Sequence, residues 1–213
     1  FEFPHILKLI NNNQFDTIYH EHFSYLSFIA IDLIFLENGL QVFDVEEHKT
    51  HGGSLRIFAQ NSDTGTQPIS NTINEMRKRE IEAGINSVDF YTGFQKKADK
   101  IKNNLLLFLI EAKNNNKKVV AYGAAAKGNT LLNYAGIRSD LISYVVDKSP
   151  FKQGKYMPGS RIPIKTEQYL KNDKPDYIII LPWNLKHEIM QQLYYIKQHG
   201  GRFVFAIPEL EVI

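Results

Sequence analysis

The sequence predicts an α/β fold with a parallel β-sheet in its C-terminal half. Short apolar runs typical of buried strands alternate with helical patterns across residues 117–213. An Asn-Asn-Asn break at residues 114–116 and a loop-type sequence at residues 62–68 separate this half from two earlier blocks. The composition, 43% hydrophobic and 23% charged, is that of a globular chain. We therefore expect three regions, at residues 1–60, 61–116 and 117–213.

The first region is predicted to contain a strand, a helix and a β-hairpin. The run at residues 15–19 indicates a short buried strand. Apolar residues recur every three or four positions over residues 26–36, which predicts a helix buried on one face. Alternating sequences at residues 40–45 and 54–59 predict two strands that pair antiparallel.

The second region is predicted to be helical and to connect the other two. Residues 72–83 and 90–113 both have helical periodicity. Lysines of the second segment fall mostly outside its apolar stripe, and a solvated helix face explains them better than a binding surface does.

The third region has the alternating order that βαβ units require, and right-handed crossovers then give a parallel sheet. Its predicted strands are residues 118–122, 142–147, 177–181 and 202–207, and its predicted helices are residues 124–135 and 184–198.

Composition also excludes several classes of partner and site. The net charge of +2 gives no global basic field for nucleic acid or an anionic membrane surface. No apolar stretch reaches the roughly 18 residues that span a bilayer. Cysteine is absent, which excludes disulfides and thiolate zinc sites within these residues.

The first turn of the third region is a candidate anion site. Gly123 and Gly128 enclose three alanines and Lys127, between a predicted strand and a predicted helix, so backbone N–H groups and a cation would meet there. Ala125 replaces the middle glycine of the dinucleotide pattern. The alternative is tight packing of strand and helix with no ligand.

Two later strand ends extend this candidate site. Asp147 would accept a ribose hydroxyl or, alternatively, cap its own loop. Trp183 could stack on a base, and Asn184 would contact a ligand or cap the following helix. Open α/β sheets bind ligands at the carboxyl ends of their strands.

The sequence Tyr-His-Glu-His at residues 19–22 is the densest group of chemically active side chains. Imidazole is suited to general-base chemistry near neutral pH. On a strand, His20 and His22 would point the same way, yet no third ligand is evident, so no metal site is predicted. The alternative is a set of surface polar residues at a strand end.

A third cluster, His-Gly-Gly-Ser-Leu-Arg at residues 51–56, brings polar groups beside two glycines. Glycines allow a close approach of ligand to backbone, so His51, Ser54 and Arg56 could contact a sugar or a phosphate. The alternative is a β-turn with an exposed arginine.

Together, the sequences at residues 15–27, 51–56, 121–134 and 182–185 resemble the SAM-dependent sugar C-methyltransferases. The best-known members methylate C3 of dTDP-linked deoxyketosugars, and the resemblance covers essentially the whole chain. It implies a cysteine-rich zinc domain, then a class I methyltransferase domain that binds SAM, then a Rossmann-like C-terminal domain.

By this resemblance the chain starts near the end of the fourth strand of the SAM domain. The zinc cysteines and the glycine-rich SAM loop would then lie upstream, so we expect a fragment of a longer enzyme. Residues 1–60 would be the end of the methyltransferase domain, 61–116 the helical connector and 117–213 the Rossmann-like domain.

The resemblance also implies roles for individual residues. His22 would be the general base that removes a proton alpha to a ketone, with Tyr19 and Glu21 positioning the sugar and supporting the imidazolium. The residues implied for the nucleotide-sugar, with dTDP as the expected nucleotide, are Lys127, Asn129, Asn184, Ser54 and Arg56. The residues that bind SAM stay unknown.

The function expected is methyl transfer from SAM to the carbon alpha to a ketone of a nucleotide-linked deoxysugar, in the cytoplasm. A non-catalytic Rossmann-like module that binds a nucleotide-sugar is the alternative. An NAD(P)-dependent oxidoreductase is disfavoured by Ala125 in the glycine turn.

Overall fold

The computed structural model describes all 213 residues, which divide into two compact units. The first unit comprises Phe1–Gln14 and His20–Gln95, and the second comprises Phe15–Tyr19 and Lys96–Ile213. The three regions expected from the sequence, with their function-based boundaries at residues 60 and 116, stay predictions.

The first unit is built on a three-stranded antiparallel sheet in which β3 is central and β1 and β2 are the edges. Its elements are β1 (Glu2–Pro4), α1 (Ile6–Asn11), α2 (Phe28–Glu37), β2 (Leu40–His48), β3 (Ser54–Asn61), α3 (Thr72–Glu82) and α4 (Val88–Tyr91). The predicted helix and antiparallel strand pair are confirmed. Ser27 starts α2, because its side chain accepts a hydrogen bond from the Ala30 N–H.

A buried carboxylate joins three parts of this unit. Glu80 of α3 is fully buried and accepts hydrogen bonds from the N–H groups of Phe28 (2.7 Å) and Ile29 (2.9 Å) at the start of α2. His5 Nε2 lies 2.6 Å from the same carboxylate. A negative charge at a helix N-terminus is favourable, so Glu80 fixes α2 against α3 and against the residue that follows β1.

Residues 15–19 do not form the predicted strand. Phe15–Thr17 is a single 3₁₀ turn whose three residues are all buried, and the Phe15 ring lies 5.2 Å from the Tyr134 ring. A short apolar run has no periodicity that separates strand from turn, and here its side chains pack on a helix instead. Since no strand continues through residues 19–22, the strand geometry expected for His20 and His22 is wrong as well.

The second unit contains a six-stranded sheet in the order β6-β5-β4-β7-β8-β9. Its elements are α5 (Phe94–Asn114, whose first two residues belong to the first unit), β4 (Val119–Tyr122), α6 (Ala126–Tyr134), β5 (Val145–Val146), β6 (Ile164–Lys165), α7 (Glu167–Asp173), β7 (Tyr177–Ile180), α8 (Lys186–Gln192), α9 (Tyr195–Gln198), β8 (Arg202–Phe205) and β9 (Glu211–Val212). All pairs are parallel except β8 with β9. The predicted α/β class with a Rossmann-like parallel sheet is confirmed.

Some predicted elements are shorter or interrupted. The helix expected at residues 184–198 is a 3₁₀ turn (Trp183–Leu185) followed by α8 and α9. The helix expected over residues 90–113 is divided, because residues 90 and 91 end α4 and α5 begins at Phe94, after Gly93 with φ +85°. Elements β6 and β9 have two residues each, which is too short for a pattern in the sequence to identify.

The strand order creates a crevice at the carboxyl ends of β4 and β7. From β4 the chain continues to β5 and β6 on one side, then returns to β7 on the other, which is the switch point where such sheets bind ligands. Gly123 (φ +94°) follows β4, and a Cβ there would lie 2.5 Å from Pro182 Cδ. A Cβ on Gly128 would lie 2.7 Å from Leu181 Cβ. Both glycines therefore let α6 approach the end of β7.

Replacement of Gly128 tests this close approach. We expect Gly128→Ala to destabilise the second unit by about 1–3 kcal/mol and Gly128→Val to destabilise it more, because Leu181 Cβ cannot move without its backbone. Chemical denaturation followed by the fluorescence of Trp183, the single tryptophan of the sequence, measures the loss. Equal stability of Gly128→Val and wild type would contradict the packing argument.

Candidate functional site

A cluster of four side chains occupies the crevice of the second unit. The Lys127 ammonium donates a hydrogen bond to Asn184 Oδ1 (3.0 Å) and lies 4.4 Å from the centroid of the Trp183 ring. Lys127 lies in the first turn of α6. The hydrogen-bond ladder of this helix begins with the bond from the Asn129 N–H to the Ala125 carbonyl, so the N–H groups before Asn129 are outside the ladder. A cation and a helix N-terminus thus meet beside an aromatic ring.

Asp16 is the fourth member of this cluster. Trp183 Nε1 donates a 2.7 Å hydrogen bond to Asp16 Oδ2, while Asp16 Oδ1 is buried without a hydrogen-bond partner. Burial raises the pKa of Asp16 to about 7, although the Trp183 hydrogen bond and the Lys127 charge act in the opposite direction. Burial lowers the pKa of Lys127, and the charge of Asp16 partly offsets that effect.

Other predicted residues of the second unit differ in what they contact. Asn184 caps no helix, since its side chain accepts from Lys127 instead. Asn129 Oδ1 is buried and has no hydrogen-bond partner. The carboxylate of Asp147 accepts the N–H groups of Ala124 (2.7 Å) and Ser149 (2.8 Å). Asp147 therefore caps its loop, the alternative left open by the sequence, and a ribose contact has no support.

The first unit contains a cleft of about 450 Å³ that includes three predicted residues, Glu21, His22 and Ser54. Its walls come from β1, from residues 21–26 and from the start of β3. The His22 ring meets the His51 ring edge to face, with 5.9 Å between centroids. His51 has φ +54°, a backbone conformation that non-glycine residues adopt rarely and that recurs at functional sites.

Tyr19, Arg56 and Ser54, the other predicted residues, differ in their surroundings. Tyr19 is partly buried and belongs to the second unit. Arg56 pairs with Glu2 (2.9 Å) and Glu46 (3.7 Å), so neighbouring carboxylates already balance its charge. Ser54 lines the cleft but donates its hydroxyl to the Thr50 carbonyl (3.1 Å).

Comparison with known proteins decides the family. The model of the C-methyltransferase C-terminal domain matches residues 49–208 of this chain. The chain belongs to the C-methyltransferase family. C-methyltransferase NovU of Streptomyces niveus is 36% identical over 212 residues, which cover 100% of this chain and 50% of NovU. The chain thus spans about half the length of this relative. The family predicted from the motifs is confirmed.

A further cleft of this C-methyltransferase chain, of about 620 Å³, lies between α7 and the α8–α9 pair, and none of the predicted site residues lines it. No group of three or more His, Cys, Asp or Glu side chains is arranged to hold a metal ion. None of the helices combines the length and apolar composition that crossing a membrane requires.

Sequence reasoning missed Asp16 and the His5–Glu80 pair, and it considered Trp183 only as a ring for stacking on a base. An aspartate inside the apolar run at residues 15–19 was the available signal, because a carboxylate is rarely buried unless it is paired. Glu80 gave no signal, since a glutamate in a charged helical segment is ordinary.

The pH dependence of stability tests the environment of Asp16. Burial raises its pKa from 3.8 to about 7, so folding favours the neutral acid. The contribution of Asp16 to the free energy of unfolding is therefore fully present below about pH 3.8 and is lost as the pH rises through about 7. We expect the unfolding free energy of wild type, relative to Asp16→Asn, to fall by up to about 1.4 kcal/mol per pH unit across this window.

Denaturation curves recorded from pH 4 to pH 8.5 measure this difference. The exposed Asp140, which pairs with Lys113 at the surface, supplies the control variant Asp140→Asn, whose difference from wild type should change little. A difference for Asp16→Asn that does not vary with pH would contradict the raised pKa.

Proposed function

We propose that this chain forms the C-terminal part of a SAM-dependent C-methyltransferase that methylates the carbon alpha to a ketone of a nucleotide-linked deoxysugar. The observation that carries the proposal is His22, set in a cleft with Glu21 within a chain of the C-methyltransferase family. A pure binding module would not need an imidazole and a carboxylate there.

The cleft supports proton abstraction. His22 would take the proton from the carbon beside the ketone, and the electron pair of that C–H bond would form the enolate. Imidazole gains a positive charge in this step, and Glu21, which lines the same cleft, would stabilise it. By the family resemblance, Tyr19 would hold a sugar oxygen. When bound, SAM supplies the methyl group that the enolate carbon receives.

No residue of this chain is assigned to SAM. At the Rossmann-type turn that follows Gly123, the acid at the position of a ribose ligand, Asp147, already accepts the Ala124 and Ser149 N–H groups, and we propose no SAM site there. We place the SAM loop and the zinc domain in an upstream part of the enzyme. The apolar side chains exposed on α2, Leu33, Ile34 and Leu36, support such a part, because a helix with apolar residues all round is normally covered.

The second unit would hold the nucleotide. Lys127 and the first N–H groups of α6 suit a diphosphate, Asn184 lies beside them, and Trp183 offers a ring for a base. Asn129, with an unpartnered buried oxygen on the same helix, is a further candidate. We propose dTDP as the nucleotide and the cytoplasm as the location.

A nucleotide-sugar-binding module without chemistry is the second candidate. The Lys127 cluster favours it, because that cluster lies wholly in the second unit and would bind a nucleotide without help from Glu21 or His22. The two candidates differ in whether His22 affects methyl transfer.

Substitution of His22 separates them. In the full-length enzyme we expect His22→Ala to lower kcat for methyl transfer from SAM to a nucleotide-ketosugar by about 10²–10⁴-fold, because the proton acceptor is lost. Transfer of radiolabelled methyl from SAM measures the rate. His48→Ala is the control, since His48 ends β2, pairs with Glu46 and does not line the cleft. Wild-type rates in His22→Ala would refute the base assignment.

Substitution of Lys127 tests the nucleotide site separately. We expect Lys127→Met to weaken dTDP binding by about tenfold or more, because a charge-assisted contact to phosphate is lost while the apolar stem is kept. Isothermal titration with dTDP and with UDP gives the affinities. Lys117→Met, which removes an exposed lysine paired with Asp176, is the control. Equal dTDP affinity in wild type and Lys127→Met would exclude this site.

A further inference from the structure

Asp16 connects a buried 3₁₀ turn with the ligand-facing side of the sheet. Its Oδ2 accepts the Trp183 Nε1–H at 2.7 Å, and the Trp183 ring lies under the Lys127 ammonium. Asp16 itself is 0% exposed, so its carboxyl cannot touch a ligand directly. Any effect of Asp16 on binding must therefore pass through Trp183 or Lys127.

The Trp183 indole needs such a partner to have one orientation. Trp183 belongs to a three-residue 3₁₀ turn after β7, where no regular helix restrains it. An indole has one N–H donor and no acceptor, so this hydrogen bond is the only directional contact its ring can donate. Because Lys127 Nζ lies 4.4 Å from the ring centroid, the ring position contributes, together with the hydrogen bond to Asn184 Oδ1, to the place of the ammonium.

Packing holds Asp16 in place from the other side. Its neighbours in the turn, Phe15 and Thr17, are also buried, and the Phe15 ring packs on Tyr134 of α6. The same helix carries Lys127 in its first turn. The turn thus packs on α6, and Asp16 makes its polar contact with Trp183 at the end of β7.

We infer that Asp16 is a positioning residue of the nucleotide site, which holds the Trp183 indole and the Lys127 ammonium where a nucleoside diphosphate meets them. The inference rests on the proposed function and adds to it the group that orders its binding side chains. The base would lie against the indole, and the diphosphate would lie at Lys127 and the α6 N-terminus.

Two substitutions of Asp16 distinguish positioning from charge. Asp16→Asn keeps a carbonyl oxygen that accepts the indole N–H, and we expect its dTDP affinity to stay within about threefold of wild type. Asp16→Ala removes the acceptor, and we expect about tenfold weaker dTDP binding and a raised KM for the nucleotide-sugar, with kcat and the KM for SAM little changed. Titration calorimetry and steady-state kinetics on the full-length enzyme measure these values.

A double-mutant cycle with Trp183→Phe identifies the contact. Because both substitutions break the same hydrogen bond, the affinity losses of Asp16→Ala and Trp183→Phe should not multiply in the double variant. If Asp16→Ala fails to fold, the comparison of Asp16→Asn with wild type remains, in which the Trp183 indole N–H resonance reports the acceptor, and the dTDP affinity of Trp183→Phe reports the loss of the donor. Asp173→Asn, which removes a carboxylate partner of Tyr144 in the same unit, is the control for stability alone.

The outcomes separate this inference from the proposed function. Three outcomes would each overturn the positioning role. They are wild-type dTDP affinity in folded Asp16→Ala, a loss of dTDP affinity in Asp16→Asn equal to that in Asp16→Ala, and fully multiplicative losses of dTDP affinity in the double variant. A wild-type enzyme that binds neither dTDP nor UDP would overturn the proposed nucleotide site and the inference with it. Methyl transfer that persists in Asp16→Ala at saturating nucleotide-sugar supports both.

Discussion

The close approach of α6 to the end of β7 is the constraint on which the second unit depends. Two glycines make it possible, because a Cβ at Gly123 would meet Pro182 and a Cβ at Gly128 would meet Leu181. The approach brings the first turn of α6 beside the residues that follow β7. As a result Lys127 contacts both Trp183 and Asn184. An ammonium group, an indole ring and an amide therefore lie together at the carboxyl ends of β4 and β7.

In the first unit a different constraint shapes the cleft. Glu80 is fully buried, and the hydrogen bonds that it accepts offset the unfavourable free energy of burying a carboxylate. By fixing the start of α2 and His5 after β1, it sets two of the chain segments between which the cleft opens. His22 and Glu21 lie on the irregular segment before α2, the start of which is held by Glu80.

The second unit contains a buried ionisable pair, Asp16 and Lys127. Asp16 and Lys127 both lose hydration, which raises the pKa of the acid and lowers that of the amine, and each partly restores the charge of the other. The Asp16 carboxyl and the Lys127 ammonium thus each influence how far the other is charged at the start of α6.

By itself the sequence determined the α/β class, the parallel sheet, the antiparallel hairpin and the family, because these follow from hydrophobic periodicity and from long ordered motifs. It also indicated Lys127, Asn184 and His22 as candidate site residues, because their side chains carry an ammonium group, an amide and an imidazole. Only the tertiary structure decided that residues 15–17 form a turn, that Asp147 caps a loop, and that Asp16 and Glu80 are buried partners. The reason is physical: burial and hydrogen-bond partners such as Trp183, 167 residues from Asp16, are long-range properties that no local pattern encodes.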